Sequence, residues 1–138
     1  MDQWPQYACA ILVDRLGRLL LESRPSDAPH AAGQLTCFGG RREPEETPEE
    51  CLRRELQEEL GWSPGTIAKR VELWVAGEPI AWFYQATLEV VLADLQVVPG
   101  REALLVARES LATLPVSPWH MAVLDAWCEG RDRVELDR

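Results

Sequence analysis

The sequence predicts a single domain of the α+β class, in which helices cover both faces of a β-sheet. A chain of 138 residues has the length of one ordinary domain, since most domains contain about 100–150 residues. Strand-like segments outnumber helical ones, and two pairs of them are joined by short turns typical of antiparallel hairpins. Two segments with helix-start signals supply the outer layers of an α/β/α sandwich.

The first part of the predicted sheet is a hairpin followed by a glycine pair. Its segments have β-rich apolar stretches separated by turn residues. In order they are a strand at 7–13, a turn at 14–18, a strand at 19–24, a loop to residue 33, an extended stretch at 34–38, and Gly39-Gly40.

The central segment carries the clearest helix signals of the chain. Thr47 and Glu50 have the spacing of a capping box, and Pro48 stands at the first helical position. Residues 48–60 contain no internal glycine or proline, and Gly61 fits the position that ends a helix. The sequence therefore predicts a helix over 48–60.

The second half predicts another hairpin and a second helix. The segments share the same turn and capping signals. They are strands at 71–76 and 80–88, at least one further strand within 89–98, a short strand at 103–107, a helix at about 119–128 that begins at Ser117-Pro118, and a charged tail at 129–138 that is expected to fray.

The composition is that of a globular protein with an acidic surface. Hydrophobic residues make up 46% and charged residues 27%, which excludes an intrinsically disordered chain. With 23 acidic against 14 basic residues the net charge is −9, which argues against a broad basic face for a nucleic-acid polymer. An acidic protein can still bind phosphates where a divalent cation bridges the two.

The sequence gives no sign of export or of a membrane helix, so we expect a cytoplasmic protein that does not bind membranes. No segment approaches the about 20 apolar residues of a membrane span, and Met1 to Pro5 lack a basic leader. The cysteines form no Cys-x-x-Cys pair and are expected to be reduced core thiols. They stand at Cys9, Cys37, Cys51 and Cys128.

Three carboxylates crowd beside the packing face of the predicted central helix. At about 100° per residue, Leu52, Leu56 and Leu60 share one arc. Glu55, Glu58 and Glu59 fall in the neighbouring arc, while Glu50, Arg53 and Gln57 point towards water. Carboxylates this close repel one another, and a hard divalent cation such as Mg²⁺ or Mn²⁺ is the simplest counter-charge. A solvated glutamate cluster with arginine partners is the alternative.

The spacing of these residues resembles the Nudix box, G-x5-E-x7-R-E-U-x-E-E-x-G-U, where U is a bulky apolar residue. The matching positions are Gly40, Glu46, and the run Arg54-Glu55-Leu56-Gln57-Glu58-Glu59-Leu60-Gly61-Trp62. The chain is thus identified as one Nudix domain over 1–138, with its box at 40–62. The resemblance implies a mixed sheet between helices and a Mg²⁺- or Mn²⁺-dependent pyrophosphohydrolase that acts on a nucleoside diphosphate derivative.

The resemblance also implies a role for each box residue. Glu55, Glu58, Glu59 and the carbonyl of Gly39 would hold the metal. Arg54 would orient Glu55 through a charge-assisted hydrogen bond, while Gly40, Glu46 and Gly61 would be structural. The proton of the attacking water would go to Glu55 or to Glu102, a glutamate in a Pro-Gly-flanked loop, and both stay open.

The strand and loop before the box resemble the MutT-type nucleoside triphosphate hydrolases most. Arg24 matches an arginine that contacts substrate in that branch, so we expect a small-molecule nucleotide as the ligand. The segment 114–118 lacks the asparagine that reads an oxidised guanine there. Alternatives are an ADP-ribose or nucleotide-sugar hydrolase, and a Nudix sensor that binds nucleotide without turnover. Base, leaving group, number of metals and oligomeric state are not predicted.

Overall fold

The computed structural model describes residues 3–138; Met1 and Asp2, part of the segment without a basic leader, lie outside them. The described part contains eight strands and two α-helices. The strands are β1 (Tyr7–Val13), β2 (Leu19–Ser23), β3 (Leu35–Thr36), β4 (Phe38–Arg41), β5 (Ala68–Val75), β6 (Glu78–Thr87), β7 (Glu102–Val106) and β8 (Arg133–Leu136). The helices are α1 (Pro48–Leu60) and α2 (Pro118–Cys128), with short 3-10 turns at Leu92–Asp94 and Arg108–Thr113.

All strands belong to one mixed sheet of order β3-β2-β1-β6-β5-β8, with β4 paired to β1 and β7 paired to β2. The pairs β1–β6 and β5–β8 are parallel, and the others are antiparallel. One edge of β1 changes partner along its length, because Tyr7–Ala10 pairs with β4 whereas Leu12 and Val13 pair with β2. The strands β2 and β4 therefore diverge from each other at the middle of the sheet.

A helix packs on each face of the sheet, which confirms the predicted α/β/α sandwich. On one face the leucines of α1 join Phe38 and the alanines of β1 in a buried cluster. On the other face Val123, Leu124 and Ala126 of α2 pack with side chains of β1, β5 and β6. Each fully buried leucine stabilises the fold by about 1.5–3 kcal/mol relative to an exposed one, so α1 is held against the sheet mainly by Leu52, Leu56 and Leu60.

The helix α1 begins and ends where the sequence predicts. The side chain of Thr47 accepts a hydrogen bond from the Glu50 backbone, and the Glu50 side chain accepts one from Thr47. Gly61 ends the helix with φ 64°, a left-handed conformation that favours glycine. These contacts are local in sequence, which explains why the prediction succeeds.

Several predictions for the surface of the fold are wrong. Residues 89–98 form no strand but a loop with one 3-10 turn, and the tail does not fray, because β8 pairs in parallel with β5. Arg53 does not point into water: its guanidinium donates to the carbonyls of Pro64 and Gly65 and so ties α1 to the following loop.

The cysteine prediction holds for three of the four residues. Cys9, Cys37 and Cys51 are buried free thiols, whereas Cys128 is a free thiol exposed at the end of α2. Neither α-helix within residues 3–138 has the length and hydrophobicity that crossing a bilayer requires.

Candidate active site

The glycine pair of β4 lets the backbone of the sheet approach the carboxylates of α1. A Cβ atom on Gly40 would lie 2.2 Å from the carboxyl carbon of Glu55. A Cβ atom on Gly39, where φ is +148°, would lie 2.3 Å from the carbonyl oxygen of Ala8. Real Cβ atoms do not come this close to other atoms. At Gly39 the backbone of Ala8 therefore leaves room only for glycine, and at Gly40 a side chain would push the Glu55 carboxylate off the strand.

A cavity of about 520 Å³ opens beside this contact. Its wall includes the glycines of β4, residues of α1 and of the start of α2, the end of β2 with Arg24, residues of β3 and β6, and the residue before β7. The members that matter below are Glu22, Arg24, Thr36, Gly39, Gly40, Glu55, Glu59, Phe83, Arg101, Ser117, Trp119 and His120.

The start of α2 is attached to β3 by the backbone. The amide of Leu35 donates to the carbonyl of Pro115, and the amide of Ser117 donates to the carbonyl of Leu35, both at 2.9 Å. The Ser117 side chain makes no capping hydrogen bond, contrary to the expected N-cap. Tertiary pairing with β3, rather than a side-chain cap, therefore sets where α2 begins and brings its first residues to the cavity.

Arg54, a residue of the box, is surrounded by acidic side chains. We call Arg54 and these side chains the box cluster. Nη2 of Arg54 donates to Glu46 at 2.9 Å and its Nη1 to Glu55 at 3.1 Å. Nη1 also lies 3.4 Å from Glu58, and Nε lies 3.7 Å from Glu43. The hydrogen bond that would orient Glu55 is present, as is the ion pair between Glu46 and Arg54. That ion pair lowers the pKa of the Glu46 carboxyl to about 2.

A second set of charges is buried in the wall, and we call it the buried cluster. Glu22 and Glu59 are each only 3% exposed. Nη1 of Arg101 lies 2.6 Å from Glu22 and 3.5 Å from Glu59, and Nη1 of Arg24 lies 3.6 Å from Glu22. Both carboxylates therefore have cationic partners, as buried charges require.

Glu59 links this cluster to the glycine pair and to Glu55. Its Oε1 accepts a hydrogen bond from the Gly39 amide at 3.2 Å. Burial raises the pKa of the Glu59 carboxyl well above its usual range; the Arg101 guanidinium opposes this rise, and the carboxylates of Glu55 and Glu22 add to it. Additional positive charge near Glu55 and Glu59 would stabilise their charged forms.

The predicted site residues divide into two groups by position. Arg24, Gly39, Gly40, Glu55 and Glu59 border the cavity. The others do not: Arg54 and Glu46 lie in the box cluster, Glu58 is 59% exposed beside Arg54, Gly61 ends α1, and Glu102 is exposed at the start of β7, opposite Ser23. Among residues 3–138, no three His, Cys, Asp or Glu side chains converge into a preformed metal-binding group.

Sequence reasoning missed Glu22, Arg101 and His120 as residues of the cavity. Glu22 had a signal, because it is a lone carboxylate that follows three leucines in a buried strand. Arg101 had none, since its partner Glu22 lies 79 positions away in sequence. Two aromatic residues also border the cavity: Phe83 is 1% exposed and packs in the core, whereas Trp119 is 39% exposed.

Comparisons with known proteins show which family and fold the chain matches. A model of the NUDIX domain matches residues 4–111. Over parts of their length, two proteins of Escherichia coli (strain K12) are similar: 8-oxo-dGTP diphosphatase is 41% identical over 59 residues, which are 43% of this chain and 45% of that protein. CTP pyrophosphohydrolase is 42% identical over 52 residues, 38% of each chain. The match thus spans less than half of either relative.

The fold is shared over nearly the whole chain with a solved structure. The crystal structure of the MutT protein from Methanosarcina mazei Go1 has a TM-score of 0.72 at 23% identity, and the match covers 94% of this chain and 97% of that one. At this identity the likeness establishes the architecture alone. The family itself is established by the domain match over residues 4–111, which includes the complete box at 40–62. This chain belongs to the Nudix family.

Proposed function

We propose that the protein is a Mg²⁺- or Mn²⁺-dependent pyrophosphohydrolase that acts on a nucleoside triphosphate. The observation that carries the proposal is one cavity whose wall contains two kinds of charged group. Glu55 and Glu59 provide carboxylates, and Arg24 and Arg101 provide positive charges. Carboxylates suit a divalent cation, and guanidinium groups suit phosphate oxygens. The two relatives from Escherichia coli, whose names denote activity on 8-oxo-dGTP and CTP, support the triphosphate class.

The donor atoms fit a hard divalent cation. Glu55, Glu58 and Glu59, together with the Gly39 carbonyl, offer only oxygen, which Mg²⁺ and Mn²⁺ prefer over softer metals. Such a cation would neutralise charge on the phosphate oxygens and make an attacking water more acidic. Nη1 of Arg54 contacts both Glu55 and Glu58, so these two carboxylates lie beside the same guanidinium.

Residues of the chain supply the remaining parts of the reaction. Arg24 and Arg101 would contact the phosphates, and the Arg24 guanidinium is held by a 2.8 Å hydrogen bond from its Nε to the carbonyl of His30. Water would attack a phosphorus atom, the bond from that atom to the bridging oxygen would break, and a nucleoside monophosphate and pyrophosphate would leave.

Glu55 is our candidate for the base that takes the proton of the water. It borders the cavity and its Oε2 is hydrogen-bonded to Arg54, whereas Glu102 is exposed and does not border the cavity. We therefore expect Glu102→Gln to change kcat by less than about threefold and Glu55→Gln to lower it at least ~10²-fold. A comparable loss of kcat in Glu102→Gln, with unchanged metal affinity, would make Glu102 the base instead.

The test is a panel of substrates with the purified full chain, Mg²⁺ and product separation by chromatography. We expect cleavage of at least one nucleoside triphosphate, no cleavage in EDTA, and ¹⁸O from labelled water in one product. Cleavage of ADP-ribose or a nucleotide sugar, with no triphosphate cleaved, would overturn the substrate class. Nucleotide binding measured by calorimetry without any cleavage would make the protein a sensor.

A further inference from the structure

His120, at the start of α2, has one ring nitrogen engaged by the backbone. The amide of Cys37 donates a hydrogen bond to Nδ1 at 3.1 Å. A nitrogen that accepts a hydrogen bond carries no proton, so in the neutral ring the proton is on Nε2. The contact therefore selects the tautomer in which Nε2 is a donor.

The Nε2 donor has no hydrogen-bond partner within residues 3–138. Nε2 is not fully buried either, because Nε1 of Trp82 is the one fully buried side-chain nitrogen or oxygen without a partner in that range. His120 is partly buried and its side chain belongs to the cavity wall. The cavity is therefore where a ligand can reach this donor.

The ring is held in a defined orientation. Besides the bond to Cys37, it packs edge-to-face on Phe83, with ring centroids 5.4 Å apart and planes at 80°. Burial, and secondly the charge of Arg24, lower the pKa of His120 to about 4. At neutral pH the imidazole is thus an uncharged donor with a fixed direction.

A nucleobase is the part of a nucleotide that fits beside this donor. Trp119, the neighbour of His120 in α2, presents an aromatic surface at the cavity on which a base can stack. The charged groups of the wall, Arg24 and Glu55, suit phosphate and cation instead. The start of α2 thus offers an aromatic surface and a neutral donor, with no charged side chain of its own among Ser117–His120.

We propose that the Nε2–H of His120 donates a hydrogen bond to a carbonyl oxygen on the edge of the substrate base, and so selects carbonyl-bearing bases over bases with an amino group at that position. The proposal rests on the proposed function. An amino group facing Nε2–H would oppose one donor to another and leave both without partners, which costs more than a lost contact. The substrate class is therefore a triphosphate of a base such as guanine, hypoxanthine or uracil.

The test compares two pairs of nucleotide substrates. Within each pair, one base has a carbonyl group where the other has an amino group. Inosine triphosphate against adenosine triphosphate exchanges it on a purine, and uridine triphosphate against cytidine triphosphate exchanges it on a pyrimidine. We expect the wild-type protein to favour the carbonyl member of at least one pair by about tenfold in kcat/KM. Equal kcat/KM within both pairs would overturn the proposal.

Two variants of His120 distinguish a role in base recognition from a role in the stability of the fold. In His120→Asn the side-chain oxygen can replace Nδ1 as acceptor for the Cys37 amide, but no donor remains at the place of Nε2. In His120→Gln the longer side chain can place an amide donor near Nε2, but the Nδ1 acceptor is lost. We expect the carbonyl preference to fall to within about twofold in His120→Asn and to persist in part in His120→Gln.

The outcomes distinguish this proposal from the proposed function. An unchanged preference in His120→Asn, at an unchanged melting temperature, assigns His120 to structure alone and overturns the proposal. The proposal is also overturned if the carbonyl preference is lost in His120→Gln but retained in His120→Asn. The preference would then depend on the acceptor for the Cys37 amide and not on a donor at the place of Nε2. If the wild-type protein cleaves no triphosphate, the proposed function fails before this question arises; equilibrium binding of the same four nucleotides then tests His120 independently, with the same expected and contradicting ratios.

Discussion

The box cluster and the buried cluster both contain glutamates of the helix α1, and they are assembled in different ways. In the box cluster one guanidinium, that of Arg54, faces four carboxylates, all from a short stretch of the chain: Glu43, Glu46, Glu55 and Glu58. In the buried cluster two guanidiniums face two carboxylates: Arg24, just after β2, and Arg101, just before β7, lie beside Glu22 of β2 and Glu59 of α1.

The difference follows from exposure to water. Glu43 and Glu58 are more than half exposed, so the box cluster can carry an excess of negative charge that water screens and that attracts cations. Glu22 and Glu59 are almost fully buried, where an uncompensated charge costs several kcal/mol, so each of them lies beside a guanidinium. The excess negative charge is thus exposed to water, and the buried carboxyl groups have cationic partners.

The largest effect is expected from a change of Glu58, one of the two exposed glutamates of the box cluster. Glu58→Gln keeps the shape of the side chain but removes one charge, and we expect at least ~10²-fold lower kcat/KM at saturating Mg²⁺ with an unchanged melting temperature. Glu49→Gln is the matched control, since Glu49 is equally on α1 but exposed in its first turn. Wild-type turnover in Glu58→Gln would remove Glu58 from the candidate metal ligands.

Displacing Glu55 without changing it is expected to cost about 10²-fold in kcat/KM. In Gly40→Ala the new methyl group would overlap the Glu55 carboxylate, and an ångström of misplacement is enough for a loss of this size. Gly65→Ala is the control, because a Cβ there meets nothing within 4 Å and Gly65 does not have a positive φ. Full activity in Gly40→Ala, with the fold verified by circular dichroism, would contradict the requirement for close approach.

For the buried cluster we expect a loss of stability. Arg101→Gln leaves Glu22 and Glu59 with one partner fewer, and the free energy of unfolding should fall by about 1–3 kcal/mol, because Arg101 itself is partly exposed. Arg18→Gln, which breaks a more exposed pair with Asp14, should cost less than about 1 kcal/mol. If urea unfolding shows the same loss of free energy of unfolding in Arg101→Gln and Arg18→Gln, burial does not determine how much these ion pairs stabilise the fold.

The smallest effect is the pH dependence of the box cluster. The hydrogen bonds from Arg54 hold the pKa of Glu46 at about 2, below its ordinary 4.5. This ion pair therefore stabilises the fold fully above about pH 4.5, and the contribution is lost as the pH falls towards 2. Glu46→Gln should lower the free energy of unfolding by about 1 kcal/mol at pH 6 and by less at pH 3.5.

The control for that measurement is Glu49→Gln, which changes an exposed glutamate in the first turn of the same helix and should differ from the wild-type protein by the same small amount at both pH values. A difference between wild type and Glu46→Gln that does not change between pH 6 and pH 3.5 would contradict the lowered pKa of Glu46.

The sequence by itself determined the helix α1 and the box cluster. Thr47, Glu50 and Gly61 act on backbone groups within one helical turn, and Arg54 reaches partners at most eleven positions away, from Glu43 to Glu58. Helix caps and spacings of three or four residues are local, so a linear pattern is sufficient to predict them. The two layers of helix on a sheet follow from the same apolar periodicities.

Only the tertiary structure decided the strand β8 and the rest of the cavity. The segment Arg133–Leu136 lies in a charged tail expected to fray, and it is a strand because β5 offers a parallel edge, with Glu72 opposite Arg133. Arg101 and Glu22 meet through the pairing of β7 with β2, and His120 reaches Cys37 across 83 positions. Contacts between residues so far apart depend on which strand edges and helix faces remain free after folding, and a linear pattern does not contain that information.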